Sequence, residues 1–225
     1  MNCSNEASFI GNNAERVAAN YRELAGFIGC ARERIFEVSQ NHGSGVRVVG
    51  PGERVFDVRS EKADALVAHK SSIAVGVRVA DCLSLLLADP FSGAVAAVHV
   101  GWRGAVAGVL EAAIRALIAD GSTAAYRLHA ALFPHIRPCC FEVGEEVAHA
   151  LVSACENPDV IVGGYTKPHV DLALVVKTQL NRSGIADPRI DDIAGCTCCD
   201  QNRFFSYRRD GDSSGRHLVV IAARG

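Results

Sequence analysis

Two apolar runs joined by a short turn constrain this chain more than any other feature. Residues 83–88 and 94–98 flank Asp89-Pro90-Phe91-Ser92-Gly93. Apolar runs of this length bounded by turn residues read as buried strands. The link suits a hairpin loop, with Pro pre-setting φ at its start and Gly accepting a positive φ near its end. A hairpin brings its open ends together. One end carries Asp81 and Cys82; the other carries His99, then Gly101-Trp102-Arg103-Gly104. A thiol and an imidazole are thereby set within cross-strand reach, roughly 4.5–5.5 Å between Cα atoms. Pairing Ala88 with Ala94 would place Cys82 opposite Val100 and turn it away from His99. A shared site therefore requires a register displaced by one residue, or a bulge, and one of the two is expected.

With 225 residues, 49% of them hydrophobic, and no Pro- or Ser-rich linker, the chain is expected to form one domain over 1–225. The net charge of −2 and the pI near 6.4 imply no general affinity for nucleic acid, although a local anion site remains open. The opening MNCSNEASFIGNNAER lacks the basic-then-apolar pattern of a signal peptide, and the longest apolar runs fall well short of the ~18–20 residues that cross a membrane. A cytoplasmic protein without a membrane partner is expected. Nine cysteines, an odd number with no export signal, read as reduced thiols rather than a disulfide framework.

Along the chain, residues 13–28 read as a helix capped by Asn12 or Asn13, with Val17, Tyr21, Leu24 and Ile28 on one apolar face and Gly29 at its end. Strands are expected over 34–38 and 46–49, flanking the polar turn 39–45. A loop is expected over 50–62, a short strand or helix over 63–67, and a strand over 73–79. Beyond Gly104 the period changes. Val106, Val109, Leu110, Ala113 and Leu117 line one helix running towards Gly121. It follows a Gly-Trp-Arg-Gly turn whose backbone N–H groups and Arg103 suit an anion. A strand over 128–132, an irregular stretch over 133–140 and helices over 144–154 and 171–183 come next. A polar loop over 196–203, an aromatic-basic run over 204–210 and a strand over 217–222 complete the pattern. This irregular alternation favours a mixed-sheet α/β domain over a regular doubly wound one.

Cys82 and His99 suit either a catalytic dyad or two ligands of a borderline metal. A buried free cysteine is also an ordinary small apolar core group. His42, in the turn Gln40-Asn41-His42-Gly43, would complete a His–Cys–His set, leaving the fourth tetrahedral position for water as in catalytic zinc sites. Solvation is the simpler reading of a turn histidine. Cys139-Cys140 and Cys196-Thr197-Cys198-Cys199 are read as structural: mostly buried, unligated thiols, because an adjacent pair is not a zinc knuckle. Arg103, Arg208 and Arg209, set beside glycines, Trp102 and Tyr207, fit oxyanion recognition with base stacking; a solvated charged face is the plainer alternative.

These residues resemble the YfiH-like family, long labelled the multicopper polyphenol oxidase or laccase-domain family. The matching motifs are Gln40-x-His42-Gly43, Ala80-Asp81-Cys82-Leu83 and His99-x-Gly101-Trp102-Arg103-Gly104. Further on come Pro138-Cys139-Cys140-Phe141-Glu142-Val143-Gly144, Asp171-Leu172, Cys196-Thr197, and Phe204-Phe205-Ser206-Tyr207-Arg208-Arg209-Asp210 with Gly215-Arg216. The resemblance implies a single-domain α/β/β/α layered sandwich with mixed sheets and a zinc site at His42, Cys82 and His99. It also implies phosphorolysis of adenosine, inosine, guanosine and methylthioadenosine, together with adenosine deamination. In that reading Cys82, His99 and Arg103 are catalytic. Gln40, Arg103, Tyr207, Arg208 and Arg209 bind the purine nucleoside and phosphate, in a monomer or small homo-oligomer. The older label implies copper and phenol oxidation, but this chain lacks the many-histidine pattern that several coppers need. A role in editing peptidoglycan precursors would instead fit a Cys–His amide hydrolase, with Cys82 as nucleophile and His99 as base. A non-enzymatic metal or nucleotide sensor is a third reading. Three departures are visible. A Thr-Arg-x-Gly-Gly strand that usually opens the family is expected to be lacking, Asn41 replaces the usual Val, and Phe133-Pro134 replaces Gly-Pro.

Overall fold

The computed structural model describes residues 14–223. Helix α1 (Ala14–Ile28) follows its apolar stripe and ends at Gly29, whose φ of +65° lies in the left-handed region. Its expected Asn cap lies outside the described residues. Strand β1 (Ile35–Phe36) is shorter than expected, whereas β2 (Val46–Val49) matches its run. The expected loop between them and the next strand instead contains helix α2 (Val55–Arg59). That single turn buries Val58 alone, too little to leave a helical period in the sequence. Strands β3 (Ala65–Ala68), β4 (Ala74–Val79), β5 (Leu83–Ala88) and β6 (Val95–Val100) follow. Every residue of β3 and β6 is buried, which is why their sequences run apolar without alternation.

The helix expected after Gly104 is two helices, α3 (Trp102–Val106) and α4 (Val109–Ile118), split where Gly108 adopts φ +78°. The Gly-Trp-Arg-Gly segment is therefore not a turn ahead of a helix. Gly101 caps α3, and Trp102, Arg103 and Gly104 lie inside it. Then come β7 (His129–Leu132), α5 (Glu145–Cys155), β8 (Ile161–Val162) and β9 (His169–Val170). Helix α6 (Leu172–Arg182) is capped by the Asp171 side chain, which accepts the Leu174 N–H. Strand β10 (Ile190–Asp192), helix α7 (Tyr207–Asp210) and strand β11 (His217–Ala222) complete the described chain.

The strands form a six-stranded mixed sheet in the order β10-β7-β5-β6-β3-β2, a three-stranded sheet β1-β4-β11, and the small pair β8-β9. Alternation across β5 and β6 sorts side chains between two cores. Leu83, Leu85, Leu87, Val98 and Val100 point to the helices and pack with Val109, Leu110, Leu117, Leu151 and Val176. Leu86, Val95 and Ala97 point the other way, against Phe36, Val75 and Val77 of the small sheet. On the outer face of that sheet, Ala25 and Ile28 of α1 cover Ile35 and Ala74. The layering is α/β/β/α.

The β5–β6 hairpin pairs Ala88 with Val95 and Leu83 with Val100. The register is thus displaced by one residue from Ala88–Ala94 pairing. His99 stands opposite Ser84, so it projects on the same face as Leu86, towards the small sheet. Asp89 fixes the loop by accepting the Phe91 N–H (2.9 Å) and two Arg127 guanidinium bonds (3.1 and 2.9 Å).

In β4, Gly76 lies opposite Val220 of β11, and a Cβ there would collide with Val220 Cγ2 and approach Leu218 Cδ1 to 3.1 Å. Gly76→Ala is expected to lower unfolding stability by ~1–3 kcal/mol, the usual range for forced overpacking. Urea denaturation measures it; an unchanged midpoint would show that β11 yields freely.

Candidate metal centre and cleft

The displaced register turns His99 towards the open end of the space between the sheets, and Cys82 precedes β5 on the same side. The turn bearing His42 closes over both. What draws it in is Asp64, fully buried just before β3. Its carboxylate accepts the backbone N–H groups of His42 (2.9 Å), Gly43 (2.7 Å) and Asn41 (3.3 Å), and bonds His99 Nδ1 at 2.8 Å. This cradle sets His42 at φ +59°. Gly101 is required by close approach, because a Cβ there would lie 3.1 Å from His42 Cδ2 and 3.2 Å from Cys82 Sγ. A Cβ on Gly104 would likewise meet the Gly43 carbonyl at 3.2 Å.

One ligand atom from each of His42, Cys82 and His99 lies within 4.8 Å of the others. His42 Nε2 stands 3.9 Å from Cys82 Sγ, and the two imidazoles meet edge to face at 4.7 Å. Because Asp64 occupies His99 Nδ1, Nε2 is left for the cleft, the arrangement by which a carboxylate orients a metal-ligating histidine. The donor set thus fits a metal ion: two imidazoles and a thiol converge, and one histidine is already oriented by a buried acid.

Electrostatics supports the same conclusion. Burial pushes the Cys82 thiol up, but hydrogen bonding and charge from His42 and His99 outweigh it and bring the group down to about 7. Burial pushes His99 down, but Asp64 and Cys82 favour the imidazolium and carry it up to about 9. Burial would raise Asp64, yet the His99 bond and the Gly43 and His42 N–H groups hold it below the usual carboxylate range.

The centre lies in a cleft of about 800 Å³ whose lining includes Gln40, Arg103, Phe141, Tyr207, Arg208 and Arg216. Arg103 lies over the Trp102 ring at 4.3 Å. Asp81, the buried acid beside Cys82, is committed elsewhere. It accepts Thr197 Oγ1 (2.6 Å), Ser206 Oγ (3.0 Å) and the Arg208 N–H (2.6 Å). Gln40 lines the wall, but its amide clamps both backbone groups of Arg78, at 2.8 and 2.7 Å. Arg208 donates to the carbonyls of Cys140 and Glu142, each at 3.0 Å. Arg209 is not brought to the cleft with the others; it grips the carbonyls of Thr197, Cys198 and Phe204.

Asp64 and Arg216 were missed as site residues. The available signal for Asp64 was a lone acid inside the apolar run 63–68, since a buried charge must find partners. The cysteine clusters also differ from expectation. Cys139 and Cys199 are exposed rather than buried, and the two clusters meet. The sequence does not show that two turns, 56 residues apart between Cys140 and Cys196, fold face to face near the surface.

Fold and site together define a class: a layered mixed α/β protein whose open cleft holds a convergent His–Cys–His group able to accept a metal ion. Residues 1–224 match the family model described as multi-copper polyphenol oxidoreductase laccase. The chain belongs to that laccase-like YfiH family. It is 34% identical over 225 residues to adenosine deaminase RL5 from an unknown prokaryotic organism, covering 96% of this chain and 86% of that protein. It is 36% identical over 203 residues to purine nucleoside phosphorylase SCO2081 of Streptomyces coelicolor, covering 89% and 80%. The solved structure of YlmD from Geobacillus stearothermophilus superposes with a TM-score of 0.85 at 27% identity, covering 97% and 84%. Among the described residues no helix is long and apolar enough to cross a membrane.

Two outcomes are expected of the centre. Between pH about 7 and about 9 the metal-free pair is Cys82 thiolate with His99 imidazolium, so an incoming ion must displace the His99 proton. Metal affinity should then rise about tenfold per pH unit across that window, and more steeply below it, where Cys82 also binds a proton. Chelator competition measures this; a flat profile would contradict it. Asp64→Asn should weaken metal binding about 10- to 100-fold by releasing His99, measured by the same titration on folded protein.

Proposed function

We propose that this protein is a zinc-dependent purine nucleoside phosphorylase acting on adenosine, inosine, guanosine and methylthioadenosine, with adenosine deaminase activity. The observation that carries the reading is the convergence of His42, Cys82 and His99 beneath a cleft lined by Arg103, Phe141 and Tyr207. The cleft volume lies within the ~300–1,000 Å³ typical of small-ligand sites. The names of RL5 and SCO2081 support both activities. Three N/S ligands with a fourth position open are the pattern of catalytic zinc, and the chemistry such an ion supplies is Lewis acidity.

The chain's own residues supply the rest. Asp64 holds the His99 tautomer and presents Nε2 to the cleft. The Trp102, Phe141 and Tyr207 rings offer apolar faces for a purine. Arg103 grips phosphate through two parallel bonds, which a guanidinium makes and an ammonium does not. In phosphorolysis a phosphate oxygen bonds to the ribose anomeric carbon as the C–N bond breaks. The bond's electron pair leaves with the purine, which takes a proton, and ribose 1-phosphate remains. In deamination water adds to the ring carbon bearing the amine and ammonia departs.

One observation favours a second reading. Cys82, His99 and Asp64 stand in the order of a thiol–imidazole–carboxylate relay, which fits a Cys–His amide hydrolase if the thiolate is not held by metal. Metal content separates the two.

Incubation with inosine and phosphate is expected to release ribose 1-phosphate and hypoxanthine, and adenosine without phosphate should give inosine. Arg103→Lys should raise the phosphate concentration needed for half-maximal phosphorolysis about 10- to 100-fold, the equivalent of one lost charged hydrogen bond. Deamination should be largely retained. Equal loss of both activities in folded, metal-loaded protein would assign Arg103 a structural role. No turnover of any purine nucleoside by metal-loaded protein would overturn the reading.

A further inference from the structure

A second group of metal-ligating side chains lies outside the cleft floor. The thiols of Cys139, Cys140, Cys196 and Cys199 come from two turns distant in sequence, and all four Sγ atoms lie within 4.8 Å of one another. We propose that these four cysteines form a closed tetrahedral zinc site that fastens the wall of the cleft, distinct from the His42–Cys82–His99 centre.

The geometry distinguishes ligation from pairing. Cys199 Sγ stands 3.5 Å from Cys139 Sγ and 3.2 Å from Cys140 Sγ. A disulfide needs each sulfur close to one partner, ~2.05 Å away. A sulfur placed similarly from two others occupies the corner of a polyhedron. With zinc–sulfur bonds of ~2.3 Å, the edge of such a tetrahedron is ~3.8 Å, so small side-chain shifts suffice. All four donors are thiols, the set that selects zinc among the commonly available divalent ions, and four protein ligands leave no open position.

The backbone around the cluster is already arranged as a supporting shell. The Arg137 N–H points at Cys196 Sγ, 3.5 Å away, and stabilises thiolate character there. The turn after Cys196 closes through the Asp200 N–H to the Cys196 carbonyl (3.1 Å), which brings Cys196 and Cys199 to one side. The turn at 137–140 closes through the Cys140 N–H to the Arg137 carbonyl (2.9 Å). A parallel bridge between His135 and Cys196 aligns the two segments. Cys139 and Cys199 are exposed, giving an ion a path in.

The site's position shows what it would hold. Thr197, between two of the ligands, bonds Asp81, the neighbour of Cys82. Arg208 spans from the Asp81 carboxylate to the Cys140 and Glu142 carbonyls. Joining the two turns through an ion therefore locks the C-terminal wall of the cleft to the segment bearing Phe141.

The test is metal content and zinc X-ray absorption on protein purified under reducing conditions. Wild type is expected to bind two zinc ions per chain. Cys82→Ser, which disables the cleft centre, should retain one, with four sulfur scatterers at about 2.3 Å. The double variant Cys139→Ser/Cys199→Ser should lose one ion and unfold at lower temperature. Should the variants not fold, the wild-type spectrum decides alone. Filled thiol and cleft sites together average between two and three sulfurs per zinc, while the cleft centre by itself gives about one. Zinc absent from folded Cys82→Ser, a shell dominated by nitrogen or oxygen, or mass spectrometry showing these thiols paired as disulfides would each overturn the proposal. None of these readouts depends on nucleoside turnover, so failure of the phosphorylase reading would leave the result intact.

Discussion

A carboxylate with no access to solvent lies at the centre of this structure. Asp64 is fully buried, and an uncompensated charge in that position would cost several kcal/mol. It is compensated by three backbone N–H groups of one turn and by the ring of His99. The turn must therefore close over the start of β3, and His99 must face inward from β6. The close packing at Gly101 and Gly104 follows from this closure, because a side chain at either would push the turn away. His42 and Cys82 become neighbours as a consequence of satisfying one acid. The convergence of His42, Cys82 and His99 is thus a product of folding energetics and needs no ion to form.

A second acid performs the same service on the opposite wall. Asp81 is buried at φ +84°, an uncommon conformation that aspartate tolerates better than most residues. Its carboxylate receives Thr197, Ser206 and the Arg208 N–H from a segment more than a hundred residues later. Cys82 follows immediately, so the conformation that aims Asp81 at the C-terminal segment also sets where the thiol emerges. The cleft is assembled from three remote pieces: the turn before β2, the open end of the β5–β6 hairpin, and the run around α7. Two buried carboxylates bind those pieces together.

This explains which features were legible in the sequence. Strands β4 and β5 and helices α5 and α6 were readable because each buries enough apolar residues to show a period or a continuous run. Strands β2 and β11 were readable because their residues, though mostly only half-buried, are largely apolar and rich in β-branched Val and Ile. The displaced hairpin register was readable from chemistry, since only that offset lets Cys82 and His99 share a face without a bulge. Helix α2 was not, because one turn with one buried residue leaves no pattern. The break at Gly108 was hidden because apolar residues continue on both sides of it. Trp102 to Gly104 read as a turn because glycines flank them, whereas those glycines serve close approach rather than chain reversal. Asp64 was overlooked for a related reason: its importance lies in bonds to residues 21 to 35 positions away, which no local window contains.

The arginines show why local composition alone could not assign roles. Arg103 stands between Trp102 and Gly104 and Arg208 follows Tyr207, with Arg209 next in line, so local sequence offers all three as anion-binding candidates. Folding separates them. Arg208 and Arg209 direct their guanidinium donors at backbone carbonyls of two loops, where several N–H groups in a fixed plane can satisfy several acceptors together. Those carbonyls lie outside the named strands, so the arginines help complete the hydrogen-bond inventory of the loops. Arg103 sits on helix α3, with its guanidinium carbon over the Trp102 ring at 4.3 Å. Of the three, Arg103 is the one that lines the cleft without a backbone carbonyl among its partners in the described residues, an outcome decided by where the surrounding carbonyls are.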